Sequence, residues 1–152
     1  MAIGQEIRFE NPDNMCFGCG QHNEHGLRMS FMHTKPGGVE TTYTAPAHTC
    51  GSPGVVHGGV QAAILDEAIG FSMHAYHDDE PGGASTDDPE WQRVVTVEFD
   101  LRYRRPVPSE TPLTIRAEVL RVTGRDYLAA AEILDAADQV LTSATAKWRR
   151  IT

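Results

Sequence analysis

No stretch of this 152-residue chain approaches the roughly 20 consecutive apolar residues that a membrane-spanning helix requires. Basic residues are in deficit too: 13 Lys and Arg against 21 Asp and Glu leave a formal net charge of −8. That balance excludes the basic stripe of a nucleic-acid surface, while a few local arginines can still hold an anionic ligand. Cysteine is scarce and odd in number. Cys16, Cys19 and Cys50 suit free thiols in a reducing cytoplasm better than a disulfide framework. The first residues, Met1-Ala2-Ile3-Gly4-Gln5-Glu6, lack a signal-peptide pattern, so a cytoplasmic protein is expected. Internal repeats and low-complexity tracts are missing as well.

What is present reads as one globular domain over residues 1–152. Hydrophobic residues make up 40% and charged residues 22%, enough to bury a core without covalent staples. Residues 1–26 are polar, with turns at Asn11-Pro12-Asp13 and Gly18-Cys19-Gly20, and predict a short helix or arm followed by a loop. Two strands, about Leu27–His33 and Val39–Tyr43, flank the turn Lys35-Pro36-Gly37-Gly38. From Val60 to about Tyr76, apolar residues occupy nearly every side, which predicts a buried helix. An acidic, Pro/Gly-rich insertion over 78–91 follows, readable as a lid or as a solvated loop.

Beyond it the pattern alternates strictly. Val95, Val97, Phe99, Leu101 and Tyr103 take one face, and Thr96, Glu98, Asp100 and Arg102 the other, as in a half-buried antiparallel strand. Leu113–Val119, Leu128–Leu134 and Val140–Trp148 repeat the theme, with hairpin turns at Gly124-Arg125-Asp126 and Ala136-Ala137-Asp138. One helix cannot cover so large a sheet unless the sheet curls around it. The expected architecture is α+β, a curved antiparallel sheet of five or six strands wrapped around one long central helix.

The run Gly54-Val55-Val56-His57-Gly58-Gly59, followed by Asp66, carries the most specific chemistry. Gly58 and Gly59 open the helix, where unpaired N–H groups point outward and the dipole favours negative charge. Without Cβ atoms they let a carbonyl come close to the backbone. Asp66 sits mid-helix among apolar neighbours, where burial raises a carboxyl pKa; Glu67 better fits a surface acid on the outer stripe. Gly59 and Asp66 are seven residues apart, so they share a helix face but lie about 10 Å apart along the axis. Catalytic contacts need about 3 Å. Two antiparallel copies of the helix, one per subunit, would bring His57 and Gly58 of one chain to Asp66 of the other, so the monomer should be inactive.

Three motifs resemble hotdog-fold acyl-CoA thioesterases of the PaaI-like, phenylacetate-pathway type. They are Cys16-Phe17-Gly18-Cys19-Gly20 with Asn23 and Gly26-Leu27, the His57 run with Asp66, and Thr96 with Tyr103-Arg104-Arg105-Pro106. With the matching element order they span residues 16–148. The resemblance implies hydrolysis of an acyl-CoA to free acid and coenzyme A, with no cofactor beyond the coenzyme A of the substrate. It implies Gly58 as the oxyanion donor with Gly59 as the nearby alternative, and His57 as a hydrogen-bonding partner. Asp66 would be nucleophile or general base, and Thr96 would hold the acid or the attacking water. It also implies a site at a homodimer interface, with dimers often pairing into tetramers. One departure stands out: where a branch of the family has an asparagine six residues before the histidine, this chain has Gly51.

Arg104 and Arg105 form a local positive patch suited to coenzyme A phosphates, with Arg102, Lys147, Arg149 and Arg150 as supplements. Phe71, Met73, Tyr76 and Trp91 read first as core and second as an acyl tunnel. Two other functions fit the fold. A hotdog module binding acyl-CoA without turnover would have no need of Asp66, and an enoyl-CoA hydratase needs an Asp/His acid–base pair over two carbons. No metal is expected: Cys16, Cys19, His22 and His25 crowd four ligand types into ten residues, whereas zinc modules separate their pairs by about a dozen. The cysteines read instead as a glycine-rich turn with small buried thiols.

Overall fold

In the computed structural model, which describes residues 3–79 and 94–151, the alternating segments pair into one seven-stranded antiparallel sheet that curves around a single helix. The strands are β1 (Glu6–Ile7), β2 (Phe31–Lys35), β3 (Gly38–Thr44), β4 (Val94–Tyr103), β5 (Pro112–Thr123), β6 (Asp126–Leu134) and β7 (Val140–Arg150). The helix α1 (Gly58–Asp79) joins β3 to β4. Their spatial order is β1-β2-β3-β5-β6-β7-β4, so β4 crosses the molecule to form the edge opposite β1. This is the curved sheet around one helix expected from the pattern and the hotdog arrangement that the resemblance implies, with seven strands where five or six were expected because the N-terminal arm adds β1.

Small residues in the middle of the sheet make room for the helix. Ala117 of β5 faces Ala131 of β6, which faces Ala144 of β7, and Ala129 pairs with Ala146. All five are buried. Opposite them α1 presents Ile64, Leu65, Ile69 and Phe71, so large side chains on one layer meet small ones on the other. Phe71 continues the core toward Phe31 and Phe9, with ring centroids 4.7 and 5.0 Å away.

The structure departs from the expectations at definite places. The N-terminal arm contains a short strand, not a helix, and Glu6 pairs with Met32. The strand expected from Leu27 begins only at Phe31, because Arg28 takes a positive φ of 51° that breaks the extended run. The helix is longer than Val60–Tyr76, starting two residues earlier and ending three later. From Phe71 to His77 it is buried on nearly every side, but earlier Gly59, Ala62, Ala63, Asp66 and Gly70 are less than fully covered. The 78–91 insertion and Trp91 lie outside the described residues, apart from the backbone of Asp78 and Asp79 at the helix end.

The largest correction concerns β4. Strict alternation puts Val95 and Val97 on the same face as Phe99, but the pairing with β7 slips between Thr96 and Glu98. Thr96 pairs with Trp148 and Phe99 with Ala146, so the extra residue Val97 is a β-bulge that moves Thr96 onto the helix-facing side. As an edge strand, β4 also keeps Val95, Val97 and Tyr103 exposed, so it is less buried than its composition suggests.

The core holds one titratable group with a large consequence. His74 is buried beside Phe9, with ring centroids 4.5 Å apart. Burial, and secondarily the nearby His77, lower its pKa from 6.5 to about 3. The unfolded imidazole takes up a proton below pH 6.5 while the native one stays neutral, so stability is lost as the pH falls through that window. At about 1.4 kcal/mol per pH unit, the loss from this group is about 2 kcal/mol by pH 5. Urea denaturation at pH 7.5 and 5.0 should show His74→Gln losing less stability than wild type by that amount. Identical pH dependence in both proteins would refute the assignment.

Candidate active site

The entry to α1 is fixed by hydrogen bonds that the motif's residues make among themselves. The His57 N–H donates to Thr49 O at 2.8 Å, and the Val56 N–H to Val107 O at 2.8 Å. His57 then caps the helix: its carbonyl accepts from the Gln61 N–H at 3.0 Å, and its Nδ1 accepts from the Gly59 N–H at 2.9 Å. An accepting Nδ1 carries no proton, so the ring proton sits on Nε2, which is left as a donor. The Gly59 amide is therefore occupied, while the Gly58 N–H has no acceptor within its own helix. Of the two glycines, Gly58 is the one whose N–H is not taken up by the His57 ring.

Gln61 and Thr142, which no motif marks, help to complete this entry. Gln61 donates through Nε2 to Val56 O at 2.8 Å and accepts the Thr142 hydroxyl at 2.6 Å. Both side chains are buried, so the pair is satisfied only in this geometry and ties the first helical turn to β7. The Tyr103 hydroxyl donates to Gly58 O at 2.9 Å from β4. The only sequence signal was a lone glutamine in an otherwise apolar turn.

Asp66 is half-buried, and Thr96 Oγ1 donates to its Oδ1 at 2.9 Å. Burial pushes its carboxyl above the usual range; the Thr96 hydrogen bond partly offsets this, and the charge of Cys16 adds to it. The Val97 bulge makes this contact by turning Thr96 toward the helix. Glu67 is not the surface acid expected. It is half-buried against the N-terminal loop, 4.0 Å from Cys16 Sγ, and burial followed by Cys16 raises its pKa to about 7.

The structure brings His57, Gly58 and Gly59 together and, separately, Asp66 with Thr96. Within one chain the two groups stay two helical turns apart, on the order of 10 Å. Arg104 and Arg105 are exposed just after β4, and both of their amides donate to Leu141 O. Arg105 lines an open cleft of about 410 Å³ with Gly54, Val55 and Gln139, beside the loop that leads into the helix. A larger cleft of about 550 Å³, lined by Lys35, Glu40, Arg116 and Glu132, contains none of the expected site residues. Position 51 does lie against the imidazole: a Cβ there would stand 3.5 Å from His57 Cδ2. Phe71 and Met73 are fully buried core, and Tyr76 is half-buried.

A family model described as the thioesterase superfamily matches residues 53–142, the stretch from the helix-entry loop to β7. The chain belongs to that superfamily. A solved thioesterase superfamily protein is 30% identical, with a TM-score of 0.70 over 86% of this chain. This chain spans 57% of that protein's length. The PaaI protein from the phenylacetic acid degradation operon of E. coli is 17% identical, with a TM-score of 0.64 over 80% of this chain and 78% of its own. Zebra fish thioesterase superfamily member 2 is 16% identical, with a TM-score of 0.65 over 80% of each chain. At such identities the last two share the fold. The resemblance to hotdog-fold thioesterases read from the sequence is borne out at the level of superfamily and fold.

The geometry divides the motif residues into two groups. N–H groups stand at the helix entry, and a carboxylate with a raised pKa stands two turns along. Among the described residues no helix is long and apolar enough to cross a membrane.

Proposed function

We propose that the protein is an acyl-CoA thioesterase that works as a homodimer. The observation carrying this reading is the two-turn separation of Gly58 from Asp66, with Asp66 half-buried and held by Thr96. A single thioester cannot touch both groups of one chain. A second copy of α1 running antiparallel would supply the missing half. Its approach is favoured by the small residues Gly59, Ala62, Ala63 and Gly70 around Asp66, because the distance between helix axes is set by the side chains at the contact.

In this reading the thioester oxygen accepts from the Gly58 N–H and the His57 Nε2–H of one protomer. Asp66 of the other protomer takes a proton from water as the water oxygen bonds to the carbonyl carbon, or it attacks that carbon itself to give, once the thiolate has left, a mixed anhydride that water hydrolyses to free acid and restored carboxylate. Collapse of the tetrahedral species breaks the C–S bond, and the departing thiolate of coenzyme A takes up a proton. Arg105, which lines the cleft at Gly54 and Val55, and its neighbour Arg104 meet the coenzyme A phosphates. With Gly51 where relatives of one branch have asparagine, polarisation rests on the amide and the imidazole alone.

Thiol release from a panel of aromatic, short, medium and long acyl-CoAs tests the proposal. Turnover of at least one class is expected. Tight binding of acyl-CoA with no turnover of any class would replace the enzyme with a binding module.

A further inference from the structure

The Cys16–Gly20 turn and Glu67 meet in a way the thioesterase reading leaves unused. Cys16 Sγ, Cys19 Sγ and a Glu67 carboxylate oxygen all lie within 4.8 Å of one another. Two sequence-distant segments, the N-terminal loop and the middle of α1, thus aim three acidic groups at one point. None of the ion pairs among the described residues involves Glu67. Converging groups of this kind are stable as neutral acids or around a cation.

The turn is shaped for metal-binding sulfur. Asn14 Nδ2 donates to Cys19 Sγ at 3.6 Å. Both glycines make room for these contacts. A Cβ on Gly18 would run into the Glu67 carboxylate, and one on Gly20 would stand 2.5 Å from Asn14 O and 2.8 Å from Cys16 O. Glycine at 18 is thus what admits Glu67 to the two sulfurs.

We propose that Cys16, Cys19 and Glu67 bind one zinc ion, with a fourth position left to solvent. The sequence pattern pointed to His22 and His25 as the other pair, and crowding argued against them. The structure supplies a different third ligand: His22 Nε2 stands 3.2 Å from Glu10 O, whereas Glu67 comes from the helix. Two thiolates with one carboxylate suit zinc, and sulfur disfavours magnesium and calcium. Zinc–sulfur bonds of about 2.3 Å and zinc–oxygen bonds of about 2.1 Å put tetrahedral ligand atoms roughly 3.5–3.8 Å apart. The 4.0 Å between Cys16 Sγ and Glu67 Oε2 is already near that spacing. Binding would displace the thiol and carboxyl protons and staple the N-terminal loop to α1.

The test uses the full chain, fully reduced, with Co²⁺ as a spectroscopic stand-in and Zn²⁺ as competitor. Thiolate-to-cobalt charge-transfer bands and tetrahedral d–d bands should saturate at one Co²⁺ per chain and vanish on adding Zn²⁺. Cys50→Ser should leave the bands unchanged, and Cys19→Ser should abolish the charge transfer. Glu67→Gln should shift the d–d bands and weaken Co²⁺ binding at least about tenfold. Zn²⁺ should raise the melting temperature of wild type but not of Cys19→Ser. Absence of charge-transfer bands in wild type overturns the site. So do bands and affinity indifferent to Glu67→Gln, or recovery of Cys16 and Cys19 as a disulfide from protein purified without reductant. None of these readouts depends on thioester turnover.

Discussion

Asp66→Asn should lower kcat by about 10²–10⁴-fold, the usual effect of removing a positioned acid, base or nucleophile. The substitution keeps the side chain's size. Thr96 Oγ1, now 2.9 Å from Asp66 Oδ1, can donate equally well to an amide oxygen. The lost property is therefore the negative charge. Because burial already disfavours that charge, the variant should be at least as stable as wild type, which separates a chemical defect from unfolding. KM should change far less than kcat, since nothing that holds coenzyme A is altered. Rates of thiol release on the best acyl-CoA, with melting temperatures measured alongside, decide the matter. Full activity in Asp66→Asn removes Asp66 from the chemistry.

Features set by local spacing were readable from the chain, and those set by pairing were not. The helix entry is local: His57 reaches the Gly59 amide two residues away, so a His-Gly-Gly run before an apolar helix carries its own geometry. The sheet order beyond β3 follows from the hairpins β5–β6 and β6–β7, whose turns the sequence marks. The bulge at Val97 is different. It arises from how β4 registers on β7, and the unbroken Val-Thr-Val-Glu-Phe alternation gives no hint of it. Yet that slip is what turns Thr96 toward Asp66, on the face opposite to the one the alternation implies. Glu67 failed for the same kind of reason: helical periodicity puts it outside, and only the N-terminal loop folding over α1 covers it. The buried Gln61–Thr142 pair joins residues 81 positions apart, a distance no local pattern spans.

The second large effect follows from the other half of the site. Gly58→Pro removes the N–H assigned to the oxyanion and little else. Proline is favoured at the first position of a helix, where its missing N–H has no helical partner. A Cβ at 58 would meet only the Tyr103 ring at an ordinary 3.5 Å. Folding should therefore survive, while kcat falls about 10²–10³-fold, as it does when one oxyanion donor is deleted. Gly58→Ala, which keeps the amide, should retain most of the activity. Mixing then tests the shared site. If Gly58 and Asp66 of one catalytic centre come from different chains, unfolding and refolding equal amounts of Gly58→Pro and Asp66→Asn creates mixed dimers with one centre intact. Half the dimers are mixed and each has two centres, so about a quarter of the wild-type rate should return, although both parents are nearly inactive. If each centre drew both groups from one chain, every centre in the mixture would carry one of the two lesions and no activity would return. A mixture as inactive as its parents, with mixed dimers demonstrably present, would eliminate the shared-site mechanism and leave the two-turn gap between Gly58 and Asp66 without a catalytic meaning.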